Sequence, residues 1–351
     1  MSRKRTHRVL LQRVAVRRPR YRSEACLVRR GAAVSPENVR GFTHIRSRGR
    51  TVFRQLYAIT KFIVQHPLNA NRKLRAISTF LRWQIGTRLL NSKVIVPWVD
   101  NSKFIAGLGE TGLTGNLYTG LIEYEDMLFL LHALQTTDTF VDVGANVGAY
   151  TILASKVVGS RSIAFEPLPE TVERLRDQVL INKIGEIVDV RNIGVGERKG
   201  ALFFTNNYDT VNRVSLVGKT KNSTRVEVVA LDEELTPGVP YFFKIDVEGF
   251  EYHVIDGATK LLSSNSVTAV ILELNGSGEE FGHSNEEVHQ KLLALGFHPV
   301  SYNPLGRVLM KLSSYNRSGG NTIYVKDIDS ISARCAASKK RVVHTAGGIF
   351  I

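Results

Sequence analysis

The stretch "VDVGANVGAYT", Val141 to Thr151, decides the fold. Apolar Phe140, Val141 and Val143 read as the end of a buried strand, and Gly144 and Gly148 remove side chains where a backbone must turn tightly or approach a ligand. A helix start follows at once, and its first N–H groups have no partner within the helix. Strand, turn and helix start in so few residues make a platform for a bound molecule.

Outward from that platform, strands and helices alternate. Strand 139–143 leads to a helix from about Asn146 to Val158. "RSIAFE" (161–166) is a strand and "PETVERLRDQVLINK" (169–183) a helix, and strand "IVDVRNIGV" (187–195) follows. "GALFFTNN" and "RVEVVALDEEL" read as a hairpin-type insertion, after which strand "YFFKIDV" (241–247) feeds helix "EYHVIDGATKLLSS" (251–264). Strand "TAVILEL", helix "NEEVHQKLLALG" and the strands "HPVSYN" and "NTIYV" close the pattern. This rhythm predicts a parallel sheet with helices on both faces.

In such a sheet the ligand sits at the carboxyl ends of the strands, where their order reverses. A dinucleotide turn needs glycine at 144, 146 and 149, and this chain has Asn146 and Ala149, which disfavours an NAD(P)-dependent oxidoreductase. What fits is G-x-N-x-G with Asp142 just before it and Glu166 at the end of the second strand. A carboxylate there can accept both hydroxyls of a ribose, and Asp142 stands where a charged amino acid moiety is met. A sulfonium joining an amino acid to a nucleoside carries both groups, as in S-adenosylmethionine. Ala145, Tyr150 and Thr151 share the same turn and helix start and are placed with that cofactor.

In "FFKIDVEGFE", apolar Phe242, Phe243 and Ile245 bury the strand, so Asp246 emerges at its carboxyl end, across the sheet from the turn. Asp246 is the candidate base for an alcohol that must lose a proton, with Glu248 in support, Lys244 to hold Asp246 ionised and His253 as a weaker candidate. Glu251 and Glu248 in the first helical turn also suit the helix dipole without any other purpose. No His/Cys metal spacing exists, so no metal site is assigned. Asp246, Glu248 and Glu273 leave an oxygen-ligated divalent ion undecided.

The ordered set "YTGLIEYEDM", "FVDVGANVGAYT", "AFEPLPET", "RNIGVGERKGALFF", "VVALDEEL", "FFKIDVEGFEYHVIDGA" and "NTIYV" resembles the FkbM family of class I S-adenosylmethionine-dependent methyltransferases over roughly residues 105–326. The resemblance implies a Rossmann-like seven-stranded sheet with the last strand antiparallel, and methylation of hydroxyls on sugars or related metabolites. It places the glycine motif on Asp142, Gly144, Asn146 and Gly148, the ribose acid on Glu166, and a polar position near the adenine on Asn192. It also puts Tyr118, Gly120 and Glu123 in a segment covering the cofactor.

The formal charge of +15 sits at the front: residues 1–50 hold 15 Lys and Arg against 2 Asp and Glu, and residues 51–100 hold 8 against 1. Residues 1–50 read as a disordered basic arm. Residues 51–100 read as a helical extension with two basic amphipathic helices, whose apolar residues Leu56, Ile59, Phe62 and Ile63, then Leu74, Ile77, Leu81 and Ile85, recur at helical spacing. Their apolar faces either pack on residues 101–326 or lie on an anionic membrane surface. Nucleic-acid methylation using this region is disfavoured, because aromatics are scarce in the arm and "IDVE" replaces the tetrad that base-amine chemistry needs. Residues 327–351 read as a tail. Cys26 and Cys335 make no disulfide framework, and no run of about 18 apolar residues occurs, so a cytoplasmic setting is expected. The partner expected is a small-molecule or glycan hydroxyl.

Overall fold

The computed structural model describes residues 49–90, 92–107, 111–205, 213–215 and 218–351. The expected arm lies outside the described residues, apart from its last two positions. Helices α1 (Gly49–Gln65) and α2 (Lys73–Leu90) lead to a two-stranded ribbon, β1 (Val94–Pro97) and β2 (Lys103–Ala106). Two one-turn helices, α3 (Thr111–Thr114) and α4 (Asn116–Thr119), stand ahead of α5 (Tyr124–Ala133).

The alternating region then runs β3 (Thr139–Val143), α6 (Ala149–Ile152), β4 (Arg161–Phe165), α7 (Pro169–Asn182) and β5 (Val188–Arg191). A π-type segment, Leu153–Val158, continues α6. Next come β6 (Gly194–Val195), β7 (Gly200–Thr205), β8 (Ser223–Val229), α8 (Leu231–Glu234), β9 (Tyr241–Ile245), α9 (Glu251–Asp256), α10 (Thr259–Ser263) and β10 (Val267–Glu273). The chain closes with α11 (Asn285–Ala294), β11 (His298–Asn303), β12 (Val308–Lys311), β13 (Asn321–Val325), α12 (Ile328–Ala337), β14 (Val342–Val343) and β15 (Ile349–Phe350).

The main sheet has the order β12-β11-β13-β10-β9-β3-β4-β5. Strands β5, β4, β3, β9 and β10 are mutually parallel, and β13 runs antiparallel between β10 and β11. That is the expected seven-strand arrangement with its last strand reversed. An eighth strand, β12, is added as a hairpin on β11. The stretch read as one strand over 187–195 divides: β5 stays in the main sheet, while β6 joins β8 and β7 in a separate three-stranded sheet.

Alternation along the strands sorts the core into two layers. Phe140, Phe242, Ile271 and Ile323 face one side, where Leu128, Phe129, Ile152 and Leu153 of α5 and the α6 segment cover them. Val141, Phe243, Val270 and Tyr324 face the other, under Val254, Leu261 and Leu292 of α9, α10 and α11. Ile59 and Ile63 of α1 and Ala76 and Phe80 of α2 belong to the first layer. Each large apolar side chain buried this way contributes about 1.5–3 kcal/mol.

Two sequence readings need correction. Of the two placements left open for the apolar row of α2, packing on the domain does not hold for Leu74, Leu81 and Ile85, which are 86%, 48% and 59% exposed, and the buried face is Ala76, Phe80 and Thr87 instead. Residues 327–351, read as a tail, are folded onto the domain. Asp327 caps α12 through Ser330 N, Arg334 pairs with buried Asp138 at 2.7 Å, and Cys335 is fully buried. Beyond α12, Asp100 accepts from Val342 N at 2.8 Å and Arg72 donates to the Thr345 carbonyl at 2.9 Å. No helix among the described residues is long and apolar enough to cross a membrane.

Candidate active site

The turn after β3 holds its shape through backbone bonds to the neighbouring strand. Gly144 N and Ala145 N both donate to the Phe165 carbonyl at 3.0 Å, at the end of β4. Gly144 has φ +79°, and a Cβ there would lie 1.9 Å from the Asp246 carbonyl oxygen. Gly148 has φ +84°, with a Cβ position 2.3 Å from Leu175 Cδ1 of α7. Between them Asn146 itself takes a left-handed φ of 50°, which asparagine tolerates better than most residues.

Glu166 fastens this turn from the next strand. Its Oε2 accepts from Asn146 N at 3.0 Å and its Oε1 from Leu168 N at 3.1 Å. Each carboxylate oxygen keeps lone-pair capacity for another donor. Asn192, exposed just past β5, donates to the carbonyls of Glu166 and Pro167 at 3.0 and 2.9 Å. Asp142 lies deeper: it is 2% exposed and its Oδ2 accepts from fully buried Thr151 at 2.6 Å. Ala145 and Tyr150 are buried beside it.

On the other side of the turn stand the acids of β9 and β10. Asp246 N donates to the Val143 carbonyl at 3.0 Å, which ties the end of β9 to the end of β3. Carboxylate oxygens of Asp246, Glu248 and Glu273 lie within 4.8 Å of one another. Glu248 holds a left-handed φ of 54°, a strained conformation for a residue with a side chain. Lys244 Nζ lies 2.9 Å from Asp246 Oδ2 and 5.2 Å from the centre of the Tyr150 ring. Burial alone would lower the Lys244 pKa, but the carboxylates of Asp246, Glu123 and Glu273 hold it above the ordinary lysine value, so the ammonium stays charged. Burial, with Asp246 and Glu248 adding their charge, pushes the Glu273 carboxyl well up. Three hard oxygen ligands suit a divalent cation such as magnesium. The lysine ammonium already supplies one positive charge to Asp246.

Other expected residues take different places. Glu251 Oε1 accepts from Val247 N at 3.2 Å and Gly249 N at 3.1 Å, bracing the loop that carries Glu248. His253 stacks on Phe250, with ring centres 4.2 Å apart, and pairs with Glu197 at 3.4 Å. His289 is 1% exposed and bonds the Tyr324 hydroxyl at 2.9 Å. Of the covering segment, Glu123 accepts from the Tyr150 hydroxyl, while Tyr118 is buried with its ring edge-on to Phe80.

Asp126 escaped the sequence reading. It accepts from Asn321 Nδ2 at 2.9 Å and senses Glu123 and Lys244. An acid inside the apolar run "YEDMLFLLHA" was the available signal.

Burial lifts the Asp142 carboxyl to about 6 and those of Asp126, Glu166 and Glu251 to about 7. A carboxyl raised in the folded state binds more protons there than in the unfolded chain, so its contribution to stability falls as pH climbs from the unfolded value through the folded one. Buried His66 and His132, lowered to about 4 by desolvation, act oppositely, but chiefly below about pH 6.5. The unliganded protein is therefore expected to melt at a higher temperature at about pH 6.5 than at about pH 8, with a smaller difference in Glu251→Gln. A melting temperature that rises over that interval in calorimetry would contradict the burial of these acids.

Residues 142–299 match the model of the methyltransferase FkbM domain. Hexuronic acid methyltransferase AglP of Haloferax volcanii is 30% identical over 156 residues, which are 44% of this chain and 62% of that protein. The match thus spans less than two thirds of that relative's length. Among solved structures, precorrin 8w decarboxylase of Methanobacterium thermoautotrophicum is 17% identical, covering 63% of this chain and 96% of that one at a TM-score of 0.36. Precorrin-6y C5,15-methyltransferase of Geobacter metallireducens is 15% identical, covering 63% and 91% at a TM-score of 0.35. Residues 142–299, which hold the glycine turn and the acids of β9 and β10, are thus similar to the methyltransferase FkbM domain.

Proposed function

We propose that this protein is an S-adenosylmethionine-dependent O-methyltransferase whose acceptor is a hydroxyl of a sugar, glycan or related metabolite. The observation that carries the reading is the contact between two loops. The Gly144 turn lies so close to the Asp246 backbone that a Cβ at 144 would sit 1.9 Å from its oxygen. A nucleoside held by the turn therefore has an ionisable acid beside it, at the carboxyl edge of the sheet.

In this reading Glu166 receives the ribose hydroxyls while its two backbone bonds hold the turn. Asn192, past the end of β5, stands near the adenine, and Asp142 with Thr151 supports the turn from beneath. When bound, the cofactor supplies a methyl group already activated by its positive sulfur. The chain's task is to place an acceptor oxygen behind that methyl, exclude water and take the hydroxyl proton. Asp246 takes the proton, and the buried Lys244 ammonium at 2.9 Å keeps it ionised. Glu248 and Glu273 offer further acceptors to neighbouring hydroxyls of a polyol. The activity named for the Haloferax volcanii relative supports a sugar acceptor.

Calorimetry with S-adenosylhomocysteine, against NAD as comparator, tests the cofactor. In Glu166→Gln the amide nitrogen must face either Asn146 N or Leu168 N, donor against donor, and the charged hydrogen bonds are lost. Affinity is expected to fall about 10- to 100-fold, in line with about 1.5–3 kcal/mol for a bond to a charged group. Heat with NAD and none with S-adenosylhomocysteine would reverse the assignment. Transfer of a labelled methyl group from the cofactor into a saccharide fraction tests the acceptor, and label in RNA instead would refute it.

A further inference from the structure

Helix α2 carries two apolar faces, and only one of them is used. Ala76, Phe80 and Thr87 point into the core and are at most 4% exposed, with Phe80 packed edge-on to Tyr118 at 5.3 Å. The opposite stripe steps by four, three, four and four residues through Leu74, Ser78, Leu81, Ile85 and Leu89, a row about 22 Å long on one side of the helix. Its four leucine and isoleucine side chains are 86%, 48%, 59% and 78% exposed. An apolar row of that length left in water marks a surface that meets something else.

Charge identifies the occupant. Residues 49–90 contain eight Lys or Arg and no Asp or Glu. Arg75 and Arg82 run along one border of the stripe and Arg88 along the other, all exposed. A second copy of this face would bring the same positive borders together. The chain's own first 50 residues, with 15 basic and 2 acidic side chains, are equally mismatched. An anionic lipid surface matches both features: acyl chains accept the apolar row and headgroups meet the arginines. We propose that this face of α2, with Leu74, Leu81, Ile85 and Leu89 as the inserted row and Arg75 and Arg82 at its border, docks the protein peripherally on an anionic membrane. The inference stands apart from the methyl-transfer reading, because none of these residues belongs to the cofactor turn or the acid cluster.

The test is co-sedimentation of the full-length protein with phosphatidylcholine vesicles, with and without about 30% phosphatidylglycerol. Partition into the anionic vesicles is expected, with little into the neutral ones, and it should weaken as sodium chloride rises from about 0.05 to 0.5 M. Leu81→Asp with Ile85→Asp should reduce the partition about 10-fold or more, because charges replace the inserted row. Arg75→Ala with Arg82→Ala should reduce it several-fold. Both variants should keep the parent melting temperature, which shows that the core face is intact. Three results would overturn the proposal: no partition into anionic vesicles, partition unchanged in the aspartate variant, or a lipid-free dimer that the aspartate variant dissociates. The second would assign binding to the N-terminal charge, and the third would assign the face to another copy of the chain.

Discussion

Asp246→Asn is expected to lower turnover by about 100-fold or more while leaving affinity for S-adenosylhomocysteine within about two-fold of the parent, the signature of a lost proton acceptor. The amide preserves the size of the side chain and leaves an oxygen for Lys244, whose ammonium lies 2.9 Å from the carboxylate and is almost wholly buried. The amide cannot take a proton from an alcohol. Nor does the substitution strand the lysine. Glu273, whose carboxyl is pushed well up by burial and by the charge of Asp246 and Glu248, ionises more readily once Asp246 is neutral. The fold should therefore survive, and the measurement is a split between kcat and binding. Parent-like turnover removes Asp246 from the chemistry. Loss of nucleoside binding in the same variant would make it a structural brace for the turn instead.

Among the described glycines, Gly144→Ala should add the most damaging single methyl group. At φ +79° an alanine costs about 1–2 kcal/mol in backbone conformation alone. Its Cβ would also lie 1.9 Å from the Asp246 carbonyl oxygen, an atom fixed because Asp246 N is bonded to Val143. One of the two loops has to move. With the clash added, about 3 kcal/mol or more is expected, seen as a melting temperature lower by about 5–10 °C. Nucleoside binding should disappear with it. An alanine variant that still binds S-adenosylhomocysteine as the parent does would mean that the two loops do not touch in solution.

The turn proposed to hold the cofactor was legible because its geometry depends on local order. A strand, two glycines, an asparagine and an acid twenty residues after the asparagine are fixed by spacing, and Glu166 lies where that spacing places it. The tier below was not legible. Whether Glu251 serves the reaction or the loop depends on where Val247 N and Gly249 N point, which periodicity does not encode. Asp126 sits within an apolar helix whose partner, Asn321, comes from a strand nearly 200 residues later. In α2 helical spacing marks the leucine and isoleucine row as apolar without deciding what it meets, and the row containing alanine and threonine is the one that fits under Tyr118. The C-terminal segment lacks a strong period because its order comes from single tertiary anchors such as Arg334 on Asp138.

The position of β13 carries a consequence for synthesis. It is the last strand of the main sheet to be made, and it lies between β10 and β11, bonded to both. Until residue 325 has left the ribosome, the nascent sheet exposes an open edge beside Glu273, with every other strand of the sheet already translated. A gene fragment cut at residue 299, where the family match ends, would keep that wound permanently. Such a product is expected to be captured by chaperones or to aggregate rather than to turn over substrate.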